Sequence, residues 1–356
     1  MKLYISKSKI LDIITLILIF MRTILPRMIY RNQSFEIRSA LINEMSSKFL
    51  YIIVIFCLLK LLFKKFSYIE ILSSIIIIIL CIIGQNFSLI AILIILLSFK
   101  RSKFEDLLKH YFLFNLITII SIIALIPWQA EWGNTIINQR YDLGFGNPNT
   151  ASQYVFSLVL SYFLIISNRE NKIFHNIIIL ILVFSTYYFT GSRNIIFSIF
   201  VFYLVLNISK FKNTFTLSKS IFNNFFIILS ILSFFLIIKS ESQMLNVMLS
   251  YRPAYLAEIL RENGISLIPQ KLIIDYPIDN SYMYRFLQYG IIIYGFFLIF
   301  SRKLLNQLFI FGNKYQVAVV TASMFYAFFE SSFFNITTSI SLYLLIINYY
   351  EVRKIK

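Results

Sequence analysis

The chain alternates long apolar stretches with short polar clusters. Runs such as "ILSSIIIIILCII" and "NLITIISIIALI" are apolar almost throughout and carry no charge. A helix that is apolar all round is solvated by lipid or buried in a bundle. The pattern predicts about twelve transmembrane helices, near 10–25, 49–63, 68–83, 87–99, 110–127, 150–167, 174–190, 194–208, 221–238, 284–300, 317–330 and 336–350. Several fall short of the ~20 residues of a full crossing, and the pair around "GQN" (84–86) forms a tight or tilted hairpin. The predicted fold class is an all-α polytopic membrane protein, one integral membrane domain over 1–356.

Composition sharpens this. Hydrophobic residues are 59% of the chain and charged ones 14%, about half the charged share of a soluble domain. The net charge of +17 suggests nucleic acid, but the cations cluster between apolar runs, where Lys and Arg anchor cytoplasmic loops. No nucleic-acid partner is expected. Cys57 and Cys81 lie inside apolar runs and imply no disulfide framework. The first run lacks a small-residue cleavage site and reads as a retained helix.

Most of the 33 cations fall in one set of loops, including "KSK", "KLLFKK", "FKRSKFEDLLK", "SNRENK", "SKFKN", "SRK" and "VRKIK". Those loops are assigned to the cytoplasm, and an even span count puts both termini there. The segment 26–48 reads as an outer loop whose several cations weaken the bias. His110 and His175 fall at cytoplasmic helix ends, whereas Asp142, Glu258, Glu262, Asp275, Asp279 and Glu330 face outward. The outer side carries two long loops, 128–149 and 239–283, and the short turn "TGSRN" (190–194).

The motif "RYDLGFGNPNT" (140–150) closes the first loop. Gly144 and Gly146 permit positive φ, Pro148 keeps Asn147 out of helical geometry, and Asn149 or Thr150 can cap the next helix. A tight turn explains these residues but not Arg140, a cation beside backbone N–H groups at a helix start, which suits an anion. In "TGSRN", Arg193 either snorkels or binds a ligand. In "MLSYRPAYLAEILRENG", Pro253 and Gly264 bracket a helix with Tyr255, Leu256, Ile259 and Leu260 on one face. This predicts an amphipathic helix on the outer membrane surface, with Arg252 at its N-terminus. Glu258 and Arg261 are either a solvated i,i+3 pair or substrate contacts. In "DNSYMYRFLQYG", Asp279 or Asn280 caps the following span, or Asp279 serves as a general base, ahead of Glu258 and Glu330.

Arg140, Arg193 and Arg252 at the outer surface suit a pyrophosphate, because guanidinium groups hold phosphate oxygens in a fork. At that level the substrate would be lipid-linked. There is no phosphate-binding glycine loop for ATP, no D-x-D pair for a metal–nucleotide-sugar complex and no Cys/His cluster, so neither cofactor nor metal is expected.

In order and content, "YDLGFGNPNTASQY", "TGSRN", the arginine of the large loop and "DNSY…YG" resemble the Wzy-type polysaccharide polymerases, a superfamily shared with the O-antigen ligases. The resemblance covers roughly residues 90 to 350. The Ile/Lys/Phe/Asn-rich composition resembles the branch that makes capsule or exopolysaccharide in low-GC Gram-positive bacteria. It implies a GT-C-like, metal- and nucleotide-independent glycosyltransferase in the cytoplasmic membrane. Such an enzyme joins undecaprenyl-pyrophosphate-linked oligosaccharides on the outer face, with membrane lipid, a flippase and a chain-length regulator as partners. Carried over, Arg140, Arg193, Arg252 and Asp279 are the catalytic positions, and Tyr141, Asn147, Asn149, Glu258, Arg261, Asn280 and Tyr282 are the substrate-binding ones. Tyr251 stands where glycine is common before the arginine, and Ile268–Pro269 replaces a glycine turn. A ligase of this superfamily relies on an outward histidine, whereas the matching stretch here is "DNSY". The rival from another class is a flippase for lipid-linked sugars, which concentrates charge inside spans near the midplane. A third reading is a non-catalytic partner in capsule assembly.

Overall fold

In a computed structural model of the chain, the described residues are 7–30, 35–62, 64, 66–100, 102–126, 140–167, 172–208, 215–272 and 279–355. They form α1 (Lys7–Ile29), α2 (Phe35–Leu61), α3 (Tyr68–Ile83), α4 (Phe87–Ser98), α5 (Phe104–Ala124), α6 (Pro148–Ile166), α7 (Lys172–Thr190), α8 (Arg193–Ile208), α9 (Phe215–Asn223), α10 (Phe225–Ile238), α11 (Gln243–Met248), α12 (Arg252–Asn263), α13 (Ser281–Phe311), α14 (Lys314–Phe329) and α15 (Ile340–Ile355). Five helices are long and apolar enough to cross a membrane: Ala40–Leu61 within α2, α5, α6, Ile173–Thr190 within α7, and α13. α4, α8 and α10 are shorter apolar helices, as is Glu70–Ile83 within α3. The chain is an all-helical, membrane-embedded protein.

The helices form two compact units, with boundaries inside α4 and α8. In the first, α1 and α2 pack antiparallel: Arg22 Nε donates to the Ser46 carbonyl (2.9 Å), and Lys60 pairs with Asp12 (2.5 Å). Helix α6 is central. It buries 78% of its apolar window, against 22% for α7 and 11% for α2, whose bare faces suit lipid. Hydroxyls that α6 takes inside find partners there: Tyr154 with Thr23 (2.8 Å) and Ser157 with Tyr111 (2.6 Å), while Tyr111 also donates to the Thr337 carbonyl (2.7 Å).

The segment 26–48 is not an outer loop: α1 runs to Ile29 and α2 already begins at Phe35. Its charges are accommodated on the helix, through an i,i+4 pair between Glu44 and Lys48 (2.7 Å) and the Arg22–Ser46 bond. The predicted span 221–238 is two helices, α9 and α10, meeting at Asn224.

In the second unit, α13 packs with α9, α10, α12 and α14. It is broken at Gly290, where φ is 70° and ψ 169°. The bonds lost there are remade with a crossing strand of chain. Ile291 and Ile292 N–H groups donate to the carbonyls of Ser266 and Leu267 (3.0 and 3.1 Å), and Gln270 N–H donates to the Gln288 carbonyl (3.0 Å). Asn86 from the α3–α4 turn donates to the same carbonyl (2.9 Å). Ile268–Pro269, the departure from a glycine turn, therefore lies against two glycines. A Cβ on Gly290 would meet Ile268 backbone atoms at 2.4 to 2.9 Å, and one on Gly84 would meet the Pro269 carbonyl oxygen at 1.7 Å.

Gly290→Ala should therefore cost about 2–4 kcal/mol, since it adds positive-φ strain to a backbone collision. Gly295→Ala, five residues on and with nothing within 4 Å of its Cβ, should leave stability unchanged or slightly raised. Thermal unfolding of the two variants in detergent checks the contrast; equal midpoints would show that the crossing segment does not pack against Gly290.

Candidate functional site

The predicted residues fall into two charged sites, one in each unit. In the first unit the turn 140–147 is organised by Asp142, which is fully buried. Its two carboxylate oxygens accept the N–H groups of Gly144 and Gly146 (3.0 Å each), and its carbonyl accepts Phe145 N–H (3.0 Å). Leu143, Gly144 and Gly146 all have positive φ, so the chain coils around the carboxylate. Asn147 is the N-cap of α6, accepting Asn149 N–H at 2.7 Å, with Pro148 in the first turn. This corrects the assignment of the cap to Asn149 or Thr150.

Arg140 lies across Gly191. Its Nε donates to the carbonyl of Thr190, the last residue of α7 (2.5 Å), and its Nη2 donates to Asn149 Oδ1 (2.7 Å). A cation at the negative end of α7 is favourable. Arg140 thus ties the end of α7 to the start of α6, a positioning role the sequence did not reveal. Tyr141 N–H donates to the Phe189 carbonyl (2.9 Å), and its ring stands edge-on to that of Phe189. Arg193 opens α8 with its side chain exposed, and among the described residues it has no ion-pair partner. A further cation, Arg27, reaches the turn from α1, donating to the Phe145 carbonyl (3.1 Å) with its guanidinium 5.9 Å from the Phe145 ring. Its sequence signal was its place at the outward end of the first predicted span.

In the second unit, three helix ends meet. Arg252 is the first residue of α12. Its Nε donates to Asp279 Oδ2 (3.3 Å) and its Nη2 to Glu330 Oε1 (3.2 Å). Glu330 follows the last residue of α14, and its side chain is only 2% exposed. A buried carboxylate at the negative end of a helix needs a cation, and Arg252 supplies it. Before Arg252 the backbone is strained: Ser250 and Tyr251 both have positive φ (53° and 61°), a region that favours glycine. The strain is held by Asn246, whose carbonyl accepts Tyr251 N–H (2.7 Å) and whose Oδ1 accepts Ala254 N–H (3.2 Å).

Asp279 does not cap α13. Asn280 does, accepting Met283 N–H (2.9 Å) while its amide donates to Ser233 Oγ (3.0 Å) and the Phe328 carbonyl (2.9 Å). Tyr282 is buried and donates to the Met324 carbonyl (2.7 Å). Asn280 and Tyr282 thus fix α13 against α10 and α14. Glu258 and Arg261 form the solvated i,i+3 pair (2.9 Å), with Arg261 75% exposed. The amphipathic helix exists as α12, but it does not lie on the membrane with its apolar face. Leu256 and Ile259 are buried against Met283 and Leu287, so protein takes the face assigned to lipid. Among the described residues no three His, Cys, Asp or Glu side chains form a metal-holding group. His110 Nδ1 lies 2.6 Å from the Asp106 carbonyl and His175 Nδ1 2.6 Å from the Tyr162 hydroxyl.

Sequence reading also passed over Arg285. It is buried on α13 among the rings of Tyr284, Tyr289 and Phe334, 4.8 to 5.4 Å from the guanidinium carbon, and it donates to Gln288. Gln288 in turn donates to Ser88 on α4 (2.9 Å). Ring faces and an amide carry this cation, so no acid elsewhere in the sequence pointed to it.

Fold and sites together define an all-helical membrane protein with charged groups gathered at helix ends. Comparison with protein-family models, with curated proteins and with solved structures gave no match to the chain.

Arg252→Ala should destabilise the protein by about 3–5 kcal/mol, because it strands the Glu330 carboxylate. Adding Glu330→Gln should recover a large part of that loss, measured by thermal unfolding; a double variant no more stable than Arg252→Ala would mean the pair is not the source. Asp142→Ala should cost about 2–4 kcal/mol by orphaning two N–H groups, and should open the 140–147 turn to protease.

Proposed function

We propose that this protein is a Wzy-type polymerase of lipid-linked oligosaccharide repeat units. The observation that carries the reading is the grouping of Arg252, Asp279 and Glu330 where α12, α13 and α14 end. One guanidinium faces two carboxylates, an arrangement that offers a positioned acid for proton transfer and not a simple anion pocket. Asp279 has the role of that base. It is the more exposed acid (26% against 2%), and Asn280 relieves it of capping. Glu330 holds Arg252, and Arg252 holds Asp279 in place.

In the first unit, Arg140 and Arg193 are proposed as phosphate-binding cations. Arg193 is exposed for phosphate contact, and Arg140 sets the turn that carries the α6 N-terminus. In the reaction, the acceptor hydroxyl oxygen attacks the anomeric carbon of the donor, and the bond from that carbon to the undecaprenyl pyrophosphate oxygen breaks. The hydroxyl proton passes to Asp279, and the pyrophosphate leaves as an anion stabilised by guanidinium charge. Attack opposite the leaving group inverts the anomeric centre. The proposal includes a twelve-span, GT-C-like architecture with both termini in the cytoplasm, and with the sites on the outer face of the cytoplasmic membrane. Charge placement favours an enzyme over a flippase: Asp12, Lys60 and Arg285 all lie within two turns of a helix end, whereas a carrier concentrates charge inside its spans.

Membranes bearing the protein, given undecaprenyl-pyrophosphate repeat units on the outer face, should build a polymer ladder. Asp279→Asn keeps the shape and the fold and should lower transfer about 100-fold or more. Arg193→Ala should slow transfer without altering stability. A wild type that builds no ladder but moves units across the bilayer would replace the polymerase with a carrier. An Asp279→Asn variant of full activity would remove Asp279 as the base.

A further inference from the structure

The second unit holds another polar cavity, of about 350 Å³, lined by Asn223 at the end of α9 and by Ile299, Arg302, Lys303 and Asn306 on α13. None of these residues belongs to the Arg252 site. The α13 residues recur at spacings of three and four, so they share one face. Continued backwards, that face reaches Phe296, and the helix surface changes along it from apolar to cationic to amide. Phe296 and Ile299 are 67% and 71% exposed, bare aromatic and aliphatic surface of the kind that meets lipid tails. Arg302 and Lys303 are exposed immediately beyond them. The far wall is fixed: Asn223 Nδ2 donates to Asn306 Oδ1 (3.2 Å), and Phe222 packs against Phe309 (ring centroids 5.6 Å apart). Asn223 Oδ1, in the lining, is a buried acceptor without a hydrogen-bond donor among the described residues.

An apolar stripe running into paired cations has the order of a phospholipid, tails first and phosphate next. The buried Asn223 acceptor beside the cations calls for a hydroxyl donor, which a glycerol head group carries and choline does not. The cavity gives far more room than a single water or small ion needs. Basic pockets at the ends of membrane helices are a recognised means of holding anionic lipid heads. We propose that this cavity is a binding site for one anionic, glycerol-bearing phospholipid, with Arg302 and Lys303 on its phosphate and its chains along Phe296 and Ile299. The site stands on the membrane character of the fold and not on the polymerase reading.

The test is native mass spectrometry of the full-length, delipidated protein titrated with phosphatidylglycerol or phosphatidylcholine. The wild type should take up one phosphatidylglycerol at least tenfold more tightly than phosphatidylcholine. Arg302→Gln/Lys303→Gln should lose that preference at this one stoichiometry, as expected for two cations beside a phosphate. Both side chains are exposed, so the variant should fold. Lys103→Gln/Lys239→Gln, which removes two exposed cations elsewhere, should keep it. An equal loss in both double variants would reduce the effect to general charge and overturn the proposal. So would an unchanged affinity in Arg302→Gln/Lys303→Gln. Displacement of the lipid by millimolar inorganic phosphate would make the cavity a free-phosphate site instead. Because lipid retention is read directly, failure here leaves the polymer-ladder result untouched, and the reverse also holds.

Discussion

In lipid, a backbone N–H or C=O left without a partner costs several kcal/mol, and α13 cannot break at Gly290 without freeing such groups. The second unit is arranged around that demand. Residues 266–270 lie along the break, accept from Ile291 and Ile292 and donate to Gln288, while Asn86 adds a further donor. Glycine is required at 290 and 84 because the crossing chain comes within Cβ distance of both. Residues 266–270 of the long loop are thus a packed part of the unit. Its helix α12 is drawn in by the same packing, with Leu256 and Ile259 against α13.

Charge follows the same logic on a smaller scale. Asp142 is buried because its turn supplies two N–H groups to it, and Glu330 is buried because Arg252 reaches it. Arg140 finds the carbonyl end of α7, and Arg285 finds ring faces. Each buried charge has been given a specific neighbour, as a medium of low polarity requires. Arg193 differs in being exposed and, among the described residues, outside any ion pair, which makes it the cation of this set best suited to an external anion.

The assigned roles therefore differ in kind. Asn280, Tyr282 and Asn147 hold helix ends in place, and their bonds are to protein. Arg140 and Asp142 shape a turn. Asp279 alone among the acids of the second site combines contact with Arg252 and access to solvent, and the proposal gives it the base for that reason. Residue type at a motif position did not distinguish these roles; the partners did.

Membrane character was legible in the sequence, because runs of isoleucine, leucine and phenylalanine without polar alternation admit no other solvent. So were the bounds of α12, set by Pro253 and Gly264, and the turn at 144–148, set by glycine and proline. Those features are local: backbone conformation and solvation are decided by a residue and its near neighbours. The join of Arg252 to Glu330 spans 78 residues and that of Asn86 to Gln288 spans 202, and no local rule encodes either. The same holds for the first half of α2, where Arg22 meets Ser46 in a segment whose charges resemble those of a loop. Tertiary structure alone decided which charges are buried, which asparagine caps and which face of α12 meets protein, because each depends on what the fold brings alongside.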